Sequence, residues 1–334
     1  MKTIIINTLL LLASILDCMA FNYRITADVD DPSLEGLKLQ LLDNGQGIIA
    51  NETSVSNGKI VLEGESDRTF PAALREQPNG KDLSPIRIFM IVEPGETVLD
   101  FKNRAVESGG PLNEQFIRIS REYRECADAD QIKALMQKTV ERNPGNGLGE
   151  YALINLSAYC SPDEWTELVG IIDEPMKKIT GIEMQTQQFD IMRRTWVGKP
   201  FAELVGKKAN GTETRLSDYV GNGKYVLADF WSSWCGGCIM EAESFLIPLY
   251  NEYKDRPDFT IVGITVSDKM ANSLEAAEKH GLTWPQIFES KAPMSTYGCF
   301  SIPQVIIFGP DGTILARNIH GPEIKKTLDS LLPK

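Results

Sequence analysis

The sequence predicts an α/β sandwich at the C-terminus, preceded by a small antiparallel β domain and a helical segment. Three observations carry that reading. The apolar residues change period twice along the 334 residues, from alternation to helical spacing near Pro111 and to strand–helix alternation near Val197. A chain of this length calls for two or three domains. Turn-forming pairs, Asn57-Gly58, Pro94-Gly95 and Asp311-Gly312, punctuate the β-rich stretches.

Taken in order, residues 1–20 read as an export signal. Lys2 supplies the positive start, Ile4–Leu16 the apolar run and Cys18-Met19-Ala20 the small residues at a cleavage position. The run falls short of the roughly 20 apolar residues that span a bilayer. Ile15-Leu16-Asp17-Cys18 offers an alternative, a lipobox that would anchor the chain through Cys18. Asp17 stands where that motif wants a small neutral residue, so cleavage after Ala20 is preferred. Export would place the mature chain in the periplasm or cell envelope, where disulfide chemistry is permitted.

Residues 21–110 alternate in short runs. Leu37–Leu42 leads into Asp43-Asn44-Gly45, Lys59–Leu62 follows Asn57-Gly58, and Ile86–Val92 and Val98–Phe101 flank Pro94-Gly95. No titratable cluster there looks catalytic. Residues 111–195 switch to helical spacing, with Ile132, Leu135 and Met136 in one run and Tyr151, Leu153, Ile154 and Leu156 in another. The break at residues 143–147 and the helix start at Ser161-Pro162-Asp163-Glu164 describe a small helical hairpin or bundle. Cys126 and Cys160 within it read as two buried thiols, with a structural disulfide as the alternative. Residues 196–334 give a strand at Tyr225–Trp231, a helix at Cys238–Lys254 and a strand at Phe259–Val266. A helix at Ala271–His280 and a short strand at Pro285–Phe288 follow. The strands Gln304–Phe308 and Thr313–Arg317 are joined by Asp311-Gly312, and a last helix opens at Pro322.

Composition excludes several functions. Lys+Arg 34 against Asp+Glu 46 gives a net charge of −12, which repels phosphate backbones and argues against nucleic-acid binding. The only histidines, His280 and His320, lie far apart, so a His-rich metal site is excluded. The single Cys-x-x-Cys lacks the second pair that a zinc ribbon needs.

Trp234-Cys235-Gly236-Gly237-Cys238 carries the chemistry. It follows a predicted strand and opens a predicted helix, the setting of a redox dithiol. Unpaired amides and the positive dipole end at a helix N-terminus stabilise a thiolate, so Cys235 is the expected nucleophile. Cys238 lies in the first turn, where it can attack a mixed disulfide at Cys235. A stable disulfide and a zinc half-site are the bland alternatives.

The flanking residues settle the comparison. Asp229-Phe230-Trp231-Ser232-Ser233-Trp234-Cys235-Gly236-Gly237-Cys238 resembles the active-site segment of thioredoxins, and most closely that of TlpA/ResA-like extracytoplasmic thiol–disulfide oxidoreductases. Val197-Gly198-Lys199-Pro200-Phe201, Leu216-Ser217-Asp218-Tyr219, Gly223–Leu227, Tyr297-Gly298 and Ser301-Ile302-Pro303-Gln304 extend the match in order. The upstream region resembles, more loosely, the β-rich domain found ahead of exported bacterial thioredoxin-like domains. The resemblance implies a thioredoxin-like fold for residues 196–334 and a dithiol cycle that needs no cofactor and no metal. It implies protein disulfides as substrates, a membrane-bound electron donor as partner, and reduction as the preferred direction. It assigns Asp229 and Glu241 as acidic residues beside the catalytic Cys235 and Cys238, and Trp234, Ile302 and Pro303 to substrate contact. A carboxyl at Asp229, on a buried strand, is expected to hold its proton and to accept one from Cys238. Glu241 shares the helical face of Cys238, the alternative being an exposed helical Glu. Pro303 in cis would present the Ile302 backbone to a substrate chain.

Two departures stand out. Gly237 occupies a position where the family often has Pro, which bears on redox poise. Glu243 stands where the family usually kinks its helix with Pro. Cys299 is expected to be a buried, inert thiol. Competing functions are a thioredoxin-fold peroxidase, disfavoured because Phe230–Ser233 holds no Pro before the cysteine, and a non-catalytic docking module, disfavoured by the complete cysteine pair.

Overall fold

The computed structural model describes residues 20–78, 86–299 and 301–332. The expected export signal, with Cys18, lies outside them apart from Ala20. The chain forms two compact units, one reaching to Cys160 with Glu164–Glu183 added, the other holding Ser161–Asp163 and the chain from Met184 onward.

The first unit opens with eight strands, β1 (Phe21–Asp28), β2 (Lys38–Asp43), β3 (Ile48–Ser54), β4 (Lys59–Ser66), β5 (Phe70–Glu76), β6 (Arg87–Val92), β7 (Gly95–Asp100) and β8 (Ala105–Ser108). They form two four-stranded sheets, ordered β4-β1-β7-β8 and β3-β2-β5-β6. Alternation in β1 turns Tyr23, Ile25 and Ala27 inward, the period-two signature of a half-buried strand. The expected antiparallel pairing holds except between β1 and β7, which run parallel. These two strands are far apart in sequence, so no hairpin turn dictates their direction.

The helices α1 (Pro111–Glu125), α2 (Ala129–Arg142), α3 (Gly147–Leu156), α4 (Pro162–Ile171), α5 (Glu174–Lys177) and α6 (Thr180–Arg194) follow, more than a simple hairpin. Glu93, just past the end of β6, accepts the Leu112 and Asn113 amides at 2.9 and 2.8 Å, capping α1 because Gly110 offers no side chain. Arg68 bridges the buried carboxylates of Asp43 and Glu150. Burial pushes the Glu150 carboxyl up to about 7, outweighing the pull of the Arg68 guanidinium. Asp43 also accepts the Gly45 and Gln46 amides, so this cluster fastens a turn rather than lining a site. Cys126 and Cys160 are not bonded to each other; both are free thiols. Cys126 is half-exposed rather than buried, and burial pushes the Cys160 thiol up to about 12.

The second unit adds a short hairpin that the sequence did not announce, β9 (Val205–Lys207) with β10 (Glu213–Arg215). Besides most of α6, from Met184 on, its remaining elements are β11 (Tyr225–Trp231), α7 (Gly236–Glu241), α8 (Ile247–Tyr253), β12 (Phe259–Thr265), α9 (Met270–His280), β13 (Gln286–Ile287), α10 (Pro293–Tyr297), β14 (Gln304–Phe308), β15 (Ile314–Arg317) and α11 (Pro322–Leu331). The sheet order is β13-β12-β11-β14-β15, with β11, β12 and β13 parallel, β14 antiparallel to β11 and β15 antiparallel to β14. Leu227 and Trp231 face one layer with Cys235, Cys238, Leu246 and Leu328, while Val226, Ala228 and Phe230 face the other. A strand buried on both faces is apolar throughout, so Asp229 inside it needs a reason.

The expected single regular helix at Cys238–Lys254 is a run in which a π turn, Ala242–Leu246, separates α7 from α8. Pro248 accounts for it. Proline has no N–H for the carbonyl four residues back, and its ring crowds that carbonyl, so the preceding turn widens. The Ile247 amide accordingly bonds Ala242 O, five residues back. The helix is thus irregular where Glu243 replaces the family's proline.

Candidate active site

The dithiol segment is held by the loop that follows β12. Ser232 Oγ donates to Val266 O, the Ser233 amide donates to Asp268 Oδ2 at 2.8 Å, and Trp234 Nε1 donates to Ser267 O at 3.3 Å. Asp268 also accepts from Ser273 Oγ at 2.7 Å, tying this loop to α9. These contacts fix the chain between β11 and α7 while leaving the Trp234 ring 63% exposed. Cys235 is the N-cap of α7, and its Sγ accepts the Cys238 amide at 3.1 Å. Cys235 and Cys238 form a disulfide across a Cα–Cα distance of 5.3 Å. Cys235 is 8% exposed and Cys238 2%, so a substrate sulfur reaches Cys235 first.

Period-two geometry puts Asp229 between Leu227 and Trp231 on the face that packs against the cysteines. Its neighbours across the sheet are Gly263 and Val305, neither charged. Asp229 is buried, and its Oδ2 has no hydrogen-bond partner. Burial, reinforced by the nearby Glu241 carboxylate, pushes its pKa up to about 8. Glu241 is buried as well. Its carboxylate accepts the Gly321 amide at 3.2 Å and meets His320 Nδ1 at 3.2 Å. Burial is affordable there because the amide and imidazole replace water.

The Ile302–Pro303 peptide is cis. A Cβ placed on Gly237 would stand 3.7 Å from Pro303 Cδ, so this loop lies directly across from the cysteine pair. Just beyond it, Gln304 Nε2 donates to Asn318 Oδ1 at 2.8 Å, joining the start of β14 to the turn that carries His320. Behind the loop the buried Arg317 guanidinium donates to Thr195 O at 2.6 Å and Tyr297 O at 2.8 Å. Arg317 also lies 3.6 Å from Cys299 Sγ. Burial pushes the Cys299 thiol up to about 11, as an inert core cysteine requires.

The structure therefore gathers Asp229, Trp234, Cys235, Cys238, Glu241, Ile302 and Pro303 in one unit. Sequence reasoning missed Asp268, Asn318 and the contact of His320 with Glu241. None belongs to a local motif, and each reaches the site only through folding. Among the described residues no His, Cys, Asp and Glu cluster could hold a metal ion.

A Cys-x-x-Cys disulfide at a helix start, over a buried carboxyl and beside a cis-proline loop, matches the thioredoxin-like thiol–disulfide oxidoreductases. The AhpC/TSA family model matches residues 197–317. The thiol-disulfide oxidoreductase ResA of Geobacillus thermodenitrificans is 28% identical over 141 residues, covering 41% of this chain and 79% of that protein. The thioredoxin-like protein YneN of Bacillus subtilis is 30% identical over 137 residues, 40% of this chain and 78% of that protein. A solved thioredoxin domain of a Bacteroides vulgatus thiol-disulfide oxidoreductase is 27% identical, covers 41% of this chain and 99% of its own, and gives a TM-score of 0.38. The chain belongs to the ResA/TlpA-like branch of the thioredoxin-like thiol–disulfide oxidoreductases.

Proposed function

We propose that the chain reduces disulfides in exported proteins through a Cys235/Cys238 dithiol–disulfide cycle, supplied with electrons by a membrane-bound donor. The observation that carries this reading is the disulfide between a cap-position cysteine and a more deeply buried one, set over Asp229. In the cycle the Cys235 thiolate attacks a substrate disulfide, one substrate sulfur leaves as a thiolate and a mixed disulfide forms. Asp229, having first released its own proton, takes the Cys238 proton in its ionised form, the new thiolate attacks Cys235 Sγ, and the second substrate sulfur leaves. Two electrons pass to the substrate, whose two thiolates gain protons from water. Two carboxyl groups beside the pair disfavour a nearby thiolate, which supports reduction over oxidation as the working direction. The apolar run Ile4–Leu16 supports export to the periplasm or cell envelope. Among the described residues no helix is long and apolar enough to cross a membrane.

The test is thiol-driven insulin reduction with cysteine variants. Cys235→Ser should abolish it, whereas Cys238→Ser should accumulate mixed disulfides visible on non-reducing gels. Equal trapping by both variants would overturn the role assignment. Peroxide consumption that survives in Cys238→Ser but not in Cys235→Ser would instead favour a peroxidase.

A further inference from the structure

Among the described residues, His320 is the titratable side chain that meets the buried Glu241 carboxylate from the surface. It stands between β15 and α11, 79 positions from Glu241 in sequence. Nδ1 lies 3.2 Å from Glu241 Oε2 and 3.4 Å from Oε1. The imidazole is 49% exposed and the Glu241 side chain only 9%, so one partner sits in water and the other in the interior. Gly321 fixes the geometry, since its amide holds Oε2 from the same turn. The turn is anchored in its own right by the Gln304–Asn318 hydrogen bond.

The described groups around the two carboxylates are mostly neutral. From β12 and β14 Asp229 meets Gly263 and Val305, and from the neighbouring β13 comes only the neutral Gln286. From the cysteine helix come Cys235, Cys238 and Glu241. Glu243, two residues on, is engaged with His280 at 2.7 Å, and Glu323, at the start of α11, with Lys326 at 3.2 Å. Among the described residues no Lys or Arg pairs with Asp229 or Glu241. Among these neighbours Glu241 is the one carboxylate that acts on Asp229. Glu241 in turn opens to solvent through an imidazole, the side chain suited to exchange protons with water near neutrality.

We propose that His320 is the solvent-side end of a proton path running from Asp229 through Glu241, and that it sets the pH dependence of the resolving step. The inference rests on the reading that Asp229 accepts the Cys238 proton. The proton balance closes. Asp229 first releases its own proton toward Glu241, where Nδ1 of His320 exchanges it and the half-exposed ring returns one to water; the carboxylate left behind then takes the Cys238 proton. No electron moves along this path, so the thiol–disulfide stoichiometry is unchanged. His320 touches no sulfur and acts through Glu241, as a positioning residue.

The test uses the reduced full-length chain and one equivalent of dithiobis-nitrobenzoate. Release of the first chromophore reports attack by Cys235; release of the second reports resolution by Cys238. In His320→Gln the first phase should match wild type at every pH. The second should slow about tenfold, below the usual range for direct general-base loss, and depend less on pH than in wild type. In His320→Ala, added imidazole should restore the second phase, a response that a purely structural role would not give. A second phase of wild-type rate and pH profile in His320→Gln, with Asp229→Asn slowed, overturns the His320 path and leaves the role of Asp229 standing. Wild-type behaviour in Asp229→Asn overturns both. The ring is half-exposed, so the variants should unfold at the wild-type temperature; slowing that follows lost stability and resists imidazole also overturns the proposal.

Discussion

Replacing Asp229 by Asn keeps the shape of a buried carboxyl and removes its titration, and the effect on stability follows from the structure. The native carboxyl holds its proton up to about 8, against 3.8 for an ordinary one. Between these values the native state binds a proton that the unfolded state has released, so stability falls as pH rises. Below the lower value both states are protonated and Asp229 contributes nothing. At about 1.4 kcal/mol per pH unit, the loss reaches at most roughly 4 kcal/mol at pH 7 and roughly 6 above pH 8. Relaxation around the charged form lowers these limits, and about 2–4 kcal/mol is expected at pH 8. Urea unfolding of the oxidised protein measures this, with tryptophan fluorescence dominated by the second unit through Trp196, Trp231, Trp234 and Trp284. Wild type should lose stability from pH 5 to 8, whereas Asp229→Asn should show a flatter profile and be the more stable protein at pH 8. Parallel profiles for the two proteins would show that Asp229 is ionised in the fold with an ordinary affinity for protons, too weak a base to draw one from the Cys238 thiol.

Two further outcomes follow from the buried polar groups. Arg68→Ala leaves the Asp43 and Glu150 carboxylates buried without their shared cation, and should destabilise the first unit by about 3–5 kcal/mol; calorimetry that finds less than 1 kcal/mol would show that the cluster reorganises. A fragment of residues 184–334 should be more stable in urea than one of residues 197–334, by about 2 kcal/mol or more. The shorter fragment loses Thr195 O as the acceptor for buried Arg317, the Trp196 ring stacked on that guanidinium, and the buried Met192 side chain. Equal midpoints would refute that accounting.

The sequence by itself determined the cysteine pair, its strand-before-helix setting and the α/β character of the C-terminal part. Each is a local property, written in adjacent residues or in a period of two or 3.6. The helix irregularity was only half legible. Glu243 in place of proline raised the question of helix shape, but the π turn depends on Pro248 further along. Asp229 was legible as a charge within an apolar strand, and only its burial and the nearness of Glu241 decided that it holds its proton. The parallel β1–β7 pair and the Arg68 cluster were not legible, because they join residues dozens of positions apart with no turn or repeat to mark them. His320 shows the limit most directly. In the sequence it is one of two scattered histidines. Only the return of the chain after β15 sets its ring against Glu241, because side chains brought together across 79 positions are chosen by packing and not by any local pattern.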